Sequence, residues 1–119
     1  MKTDNIIRDK SFAFAIRVVN LYKYLCEEMK EFVLSKQLLR SGTSVGANVE
    51  EAIGGQSDKD FVSKLSIAYK EARETIYWLK LLYASSFLSK EQAESMLNDG
   101  EEICKILGKI QITVKTRNS

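Results

Sequence analysis

Residues 40–51, Arg40-Ser41-Gly42-Thr43-Ser44-Val45-Gly46-Ala47-Asn48-Val49-Glu50-Glu51, gather guanidinium, hydroxyl, amide and carboxylate groups in one short run. Ser41, Ser44, Asn48 and Glu51 advance by three, four and three, so on a helix they share one face. Arg40, Thr43, Ala47 and Glu50 form the neighbouring stripe. Glu71 and Glu74 lie three apart further along, and Arg40 or Arg73 is the natural partner for them. Three readings fit these groups. The first is a polar network that fixes helix register, between helices or between subunits; each buried group left unsatisfied would cost about 1–3 kcal/mol. The second is a recognition site for a ligand or partner. The third is a small helical enzyme holding an anionic ligand with Arg40, Asn48, Glu51 and Glu74.

The catalytic reading is the weakest of the three. The chain has no histidine, which removes the commonest general base, the commonest metal ligand and every Ser-His or Cys-His nucleophile system. A di-iron bundle needs Glu-x-x-His elements. Glu27-Glu28, Glu50-Glu51 and Glu101-Glu102 are adjacent residues, about 100° apart on a helix, and diverge. Gly54-Gly55 lacks the lysine of a phosphate-binding loop and reads as a helix stop. We therefore expect no enzyme activity, and assign no catalytic residue, cofactor or metal.

The 119 residues suffice for a single domain, 1–119. Lysine plus arginine number 18 and aspartate plus glutamate 16, a net charge of +2, far from a polybasic nucleic-acid binder. Lys105, Lys109, Lys115 and Arg117 make a mildly basic C-terminal run, either a solvated helix face or an RNA contact. No uncharged run exceeds the nine residues of 41–49 and 81–89, against about 18 needed to span a membrane. No secretory signal is visible at the N-terminus. A soluble cytoplasmic protein is expected, with Cys26 and Cys104 as reduced thiols that pack as small hydrophobes.

The chain has no proline, which favours long helices, and four segments carry a helical period. The first, about 9–29, has the stripe Phe12, Ile16, Val19, Tyr22, Cys26 and Met29. After a link in which Phe32 and Leu34 are expected to tuck under the bundle end, the second, 35–54, starts at an N-capping Ser35. Its stripe is Leu38, Gly42, Val45, Val49 and Ala52, with Gly42 and Gly46 set for close helix packing. The third, 57–86, opens on Ser57 with Asp60 three residues on, and shows Phe61, Leu65, Ala68, Ala72, Thr75, Leu79 and Leu82. The fourth, 89–114, opens on Ser89 with Gln92, and shows Ala93, Met96, Gly100, Ile103, Leu107, Ile110 and Val114; the tail 115–119 is expected to fray. Helices of this length with short links predict an all-α fold, an antiparallel up-down-up-down four-helix bundle.

The third segment is too apolar for a bundle alone. From Phe61 to Leu88, 17 of 28 residues are apolar, where a core-facing helix uses about three in seven. Val62, Tyr69, Ile76 and Tyr83 repeat every seven residues beside the core stripe; Ile67, Tyr77, Trp78 and Leu81 lie further round. One reading of this surplus is a broad core face with tyrosine hydroxyls at its rim. A homo-oligomer interface through Tyr69, Ile76, Tyr77, Trp78 and Leu81 is the expected reading, since aromatic flanks are common interface anchors.

The run from Gln37-Leu38 through Arg40–Ala52, then Ser57-x-x-Asp60-Phe61, Lys64-Leu65-x-Ile67-Ala68-x-Lys70-Glu71-Ala72 and Glu74-Thr75-x-Tyr77-Trp78-Leu79, resembles a bacterial four-helix-bundle family. That family includes proteins encoded in intervening sequences of 23S ribosomal RNA genes, and the resemblance spans about residues 10–113. It implies a homopentamer. The chain is also similar to accessory proteins of diversity-generating retroelements, which implies a protein or RNA partner, with a weak nucleic-acid-binding module as the alternative to a scaffold.

Overall fold

A computed structural model describes residues 2–117, with side chains from Ile6 onward. The chain is a rod of 48 × 21 × 20 Å built from α1 (Lys2–Glu27), α2 (Leu34–Ile53), α3 (Asp58–Ala84) and α4 (Lys90–Arg117). Each helix packs on its sequence neighbours, α4 returns beside α1, and among the described residues the backbones of the diagonal pairs α1–α3 and α2–α4 stay apart. Cross-links run in opposite senses: Arg40 meets Glu71 and Glu74 while Glu51 meets Lys64. The architecture is an antiparallel four-helix bundle.

Local chemistry sets the helix ends. Ser57 caps α3, its hydroxyl accepting from Asp60 N at 3.1 Å. Ser89 and Gln92 form a reciprocal box before α4, with Gln92 N donating to Ser89 Oγ (3.1 Å) and Ser89 N donating to Gln92 Oε1 (2.8 Å). The start of α2 differs from the sequence reading. Ser35 lies inside the first turn, and its hydroxyl donates back to the Glu31 carbonyl at 2.7 Å. The cap is the Glu31 carboxylate, which accepts from Val33 N, Leu34 N and Ser35 N at 3.0, 3.1 and 2.6 Å. Burial alone would push this carboxyl up; the three backbone donors and the Ser35 hydroxyl outweigh it and hold Glu31 below the usual carboxylate range.

The core stripes expected on α2 and α4 are buried throughout, as is that of α3 apart from a half-buried Phe61. Gly42 and Gly46 seat α1 against α2. A Cβ at Gly42 would stand 2.7 Å from both Val18 methyls, and one at Gly46 would stand 3.3 Å from the Ser11 carbonyl oxygen. Cys104 is buried and Cys26 partly so, both as free thiols; burial pushes the Cys104 thiol up.

Four expectations are corrected. On α1 the buried row is Ile7, Phe14, Val18, Leu21 and Leu25, while Phe12 and Ile16 face out and Val19, Tyr22, Cys26 and Met29 are half-buried. Two apolar rows share the helical period there, and the one that fits Gly42 and Gly46 of α2 wins. The helix also begins seven residues earlier than read, because Ile7 belongs to the core. Phe32 is 53% exposed and only Leu34 packs inward, since the Glu31 cap directs this link outward. Finally α4 continues to Arg117, whose guanidinium meets Asp58 at 3.2 Å and ties the helix end to the start of α3; residues 118 and 119 lie outside the described residues.

Candidate functional site

The chemistry concentrates along the α2–α3 seam. Arg40 projects from α2 across to α3, where Nη1 meets Glu71 Oε2 at 3.2 Å and Nη2 meets Glu74 Oε2. Its Nε donates to Gln37 Oε1 at 3.3 Å, one turn back. Glu74 also accepts the Trp78 indole N–H at 3.1 Å, and Tyr77 sits edge-on to Trp78 with centroids 5.1 Å apart. One guanidinium thus organises two carboxylates and, through Glu74, the indole. Arg73, the other candidate partner, turns the opposite way, toward Glu101 on α4.

Beneath this surface layer is a buried pair of hydroxyls. Thr75 Oγ1 lies 2.9 Å from Ser41 Oγ and 2.7 Å from the Glu71 carbonyl, and Ser41 Oγ lies 3.0 Å from the Gln37 carbonyl. Both residues are fully buried, so each hydroxyl is satisfied where water does not reach. Thr75 reads in the sequence as a filler of an apolar stripe; the one signal of its role was a hydroxyl-bearing residue opposite Ser41.

The rest of the polar stripe serves other contacts. Asn48 Nδ2 donates to the Ser44 carbonyl and hydroxyl at 2.9 and 3.0 Å, along α2 itself. Glu51 pairs with Lys64 of α3 at 3.1 Å. Arg40 and Glu51 are separated by about 16 Å along the helix axis at about 1.5 Å per residue, so Arg40, Asn48, Glu51 and Glu74 do not converge on one ligand. What the arrangement does chemically is lock two helices in register.

Of the interface residues read from sequence, Tyr77 is 57% exposed, while Trp78 and Leu81 are half-buried. Tyr69 is half-buried against the core. Ile76 is corrected: it is 2% exposed and packs against Gly100 of α4, where a Cβ would come within 3.2 Å of its Cγ1. The repeat of Val62, Tyr69 and Ile76 is therefore α3's packing edge toward α4. On α4, Lys105, Lys109 and Lys115 are exposed, and Arg117 is engaged by Asp58.

The sequence model of the 23S rRNA-intervening sequence protein family matches residues 3–109. The chain belongs to this family. A crystal structure of a protein of unknown function from the S23 ribosomal protein family of Bacteroides thetaiotaomicron is similar at 57% identity. That match covers 92% of this chain and 97% of that one, with a TM-score of 0.90. No curated protein matches. Among the described residues, no helix of this family member is long and apolar enough to cross a membrane.

Proposed function

We propose that the chain is a non-enzymatic cytoplasmic scaffold that assembles with copies of itself, as a homopentamer, and presents repeated surfaces to a protein or RNA partner. The observation that carries this reading is the outer side of α3. Tyr77 and Ile67 are exposed there, beside half-buried Trp78 and Leu81, while Glu71, Glu74 and the Trp78 indole already have partners within the subunit. Apolar and aromatic surface of this kind marks an interaction site. The number five follows from the family resemblance. Five copies of a weak site raise avidity by about 10²–10⁴ without new contacts. Light scattering on the purified chain tests the assembly: a mass several times the 13.5 kDa chain supports it, and a single-chain mass at micromolar concentration overturns it.

A second reading, a weak nucleic-acid-binding module, is favoured by Lys105 and Lys109. They stand one turn apart on the exposed face of α4 and form no ion pair. The family description, which refers to 23S rRNA intervening sequences, makes an RNA the first probe. Binding that weakens steeply between about 50 and 200 mM salt supports this reading; flat or absent binding removes it.

A further inference from the structure

Helix α1 carries two apolar rows, and its own bundle covers one of them. Phe12 is 67% exposed and Ile16 48%, with Val19 half-buried beside them. Their spacing of four and three makes them one row on the helix surface. The face of Ile67, Tyr77, Trp78 and Leu81 is on α3, at the opposite corner of the bundle. The two faces do not meet within one chain.

Their borders carry opposite residual charge. Arg40 occupies both Glu71 and Glu74. That one guanidinium offsets only one of their two negative charges, so with Lys70 and Lys80, neither of which forms an ion pair, the balance beside the α3 face is one positive charge. Along the outward side of α1, among the residues whose side chains are described, Asp9 and Glu27 have no ion pair either, and they outnumber the one lysine there, Lys23. Docking the α3 face on its own copy would bring lysine against lysine. Docking it on α1 brings lysine toward carboxylate.

We infer that the Phe12–Ile16 row of α1 is the docking surface for the α3 face of a second copy of this chain, so that subunits join head-to-tail. This rests on the self-assembly reading above and specifies its contact. A contact between two different patches leaves one of each free after every addition, and it ends only when a ring closes.

Complementation of two variants tests this. Phe12→Lys with Ile16→Lys destroys the α1 row, and Tyr77→Lys with Leu81→Lys destroys the α3 face. The α1 positions are exposed, and a circular dichroism melt of each variant checks that it folds; Phe12→Lys alone serves if the double variant does not. Each variant by itself is expected to show the single-chain mass of 13.5 kDa by light scattering. An equimolar mixture is expected to show twice that mass, because one intact α1 row meets one intact α3 face and the other two are blocked. If the α1 variant keeps the wild-type mass, or the mixture stays at one chain, head-to-tail docking is overturned while assembly stands. A wild-type chain that is itself a monomer overturns the assembly reading, and this inference with it.

Discussion

Gly42→Ala sets helix propensity against packing, and the structure decides which wins. Glycine inside a helix is about 1 kcal/mol less favourable than alanine, so on propensity alone the substitution stabilises. At Gly42, however, the new methyl would stand 2.7 Å from both Val18 methyl carbons, roughly 1 Å inside the 3.5–4.0 Å optimum for carbon pairs. Val18 is fully buried and β-branched, with one strongly preferred rotamer in a helix, so α1 and α2 must move apart. Overpacking of this kind typically costs about 1–3 kcal/mol. Added to the disrupted neighbours along that contact, it should outweigh the propensity gain and leave a net loss of about 1–2 kcal/mol. Gly108→Ala is the control. It is the same chemical change in α4 with nothing within 4 Å of the added carbon, and should stabilise by about 0.5–1 kcal/mol. For a chain of this size, 1 kcal/mol moves the melting temperature by about 3–6 °C. Circular dichroism melts at one fixed protein concentration, which also controls for assembly, should therefore move the two variants in opposite directions. Adding Val18→Ala to Gly42→Ala should lose less than the sum of the two single losses. A Gly42→Ala protein that melts at or above the wild-type temperature would refute the argument.

Glu31→Gln should lower stability near neutral pH by about 1 kcal/mol, a typical value for a lost cap. Glu31 is held below its ordinary range when folded, so its contribution is present above the unfolded carboxylate value and lost as pH falls through the folded one. Urea midpoints should therefore fall on acidification in the wild type and less so in Glu31→Gln; parallel curves would remove Glu31 as the cause. Ser86, the residue after the C-cap of α3, has φ 68°, a left-handed conformation, so Ser86→Gly should raise stability by about 0.5–1 kcal/mol in a thermal melt. Thr75→Val and Ser41→Ala should each cost about 1 kcal/mol, and the double variant less than their sum, as a double-mutant cycle in urea would show. Arg40→Met should leave Glu71 and Glu74 facing each other unpaired. It should also change the Trp78 fluorescence, because Glu74 loses the partner that holds it at the indole N–H; an unchanged spectrum would contradict the Arg40–Glu74–Trp78 chain.

The sequence disclosed the bundle because α2, α3 and α4 each carry one dominant apolar row, and serine caps mark the starts of α3 and α4. It misdirected at α1 because Phe12, Ile16 and Val19 keep the helical period as well as Phe14, Val18 and Leu21 do. Periodicity alone does not say which row finds a partner. The true row also contains buried Ser11, which disguises it. The pairing of Arg40 with Glu71 and Glu74 was legible from charge and spacing. The Ser41–Thr75 bond was not, since a threonine in an apolar stripe reads as packing. The Glu31 cap was hidden because it acts from a link onto the following turn, a contact that no period records. The burial of Ile76 depends on a glycine on α4 that only the register between α3 and α4 brings opposite.

The α1–α4 seam differs from the other three. It is bridged by Lys10 to Glu102 and by Arg17 to Asp99 and Ser95. Recesses of about 180 and 300 Å³ open along it, beside Phe14 and Ile103 and beside Leu21 and Met96. Every other seam joins helices adjacent in the chain, and this one alone must bring together residues more than seventy positions apart. Loop-closure entropy therefore weighs most on it. Loop closure thus predicts that this seam closes last, after the three seams between neighbouring helices. Amide exchange should find the same edge first to unlatch, at a free energy well under that of the whole bundle.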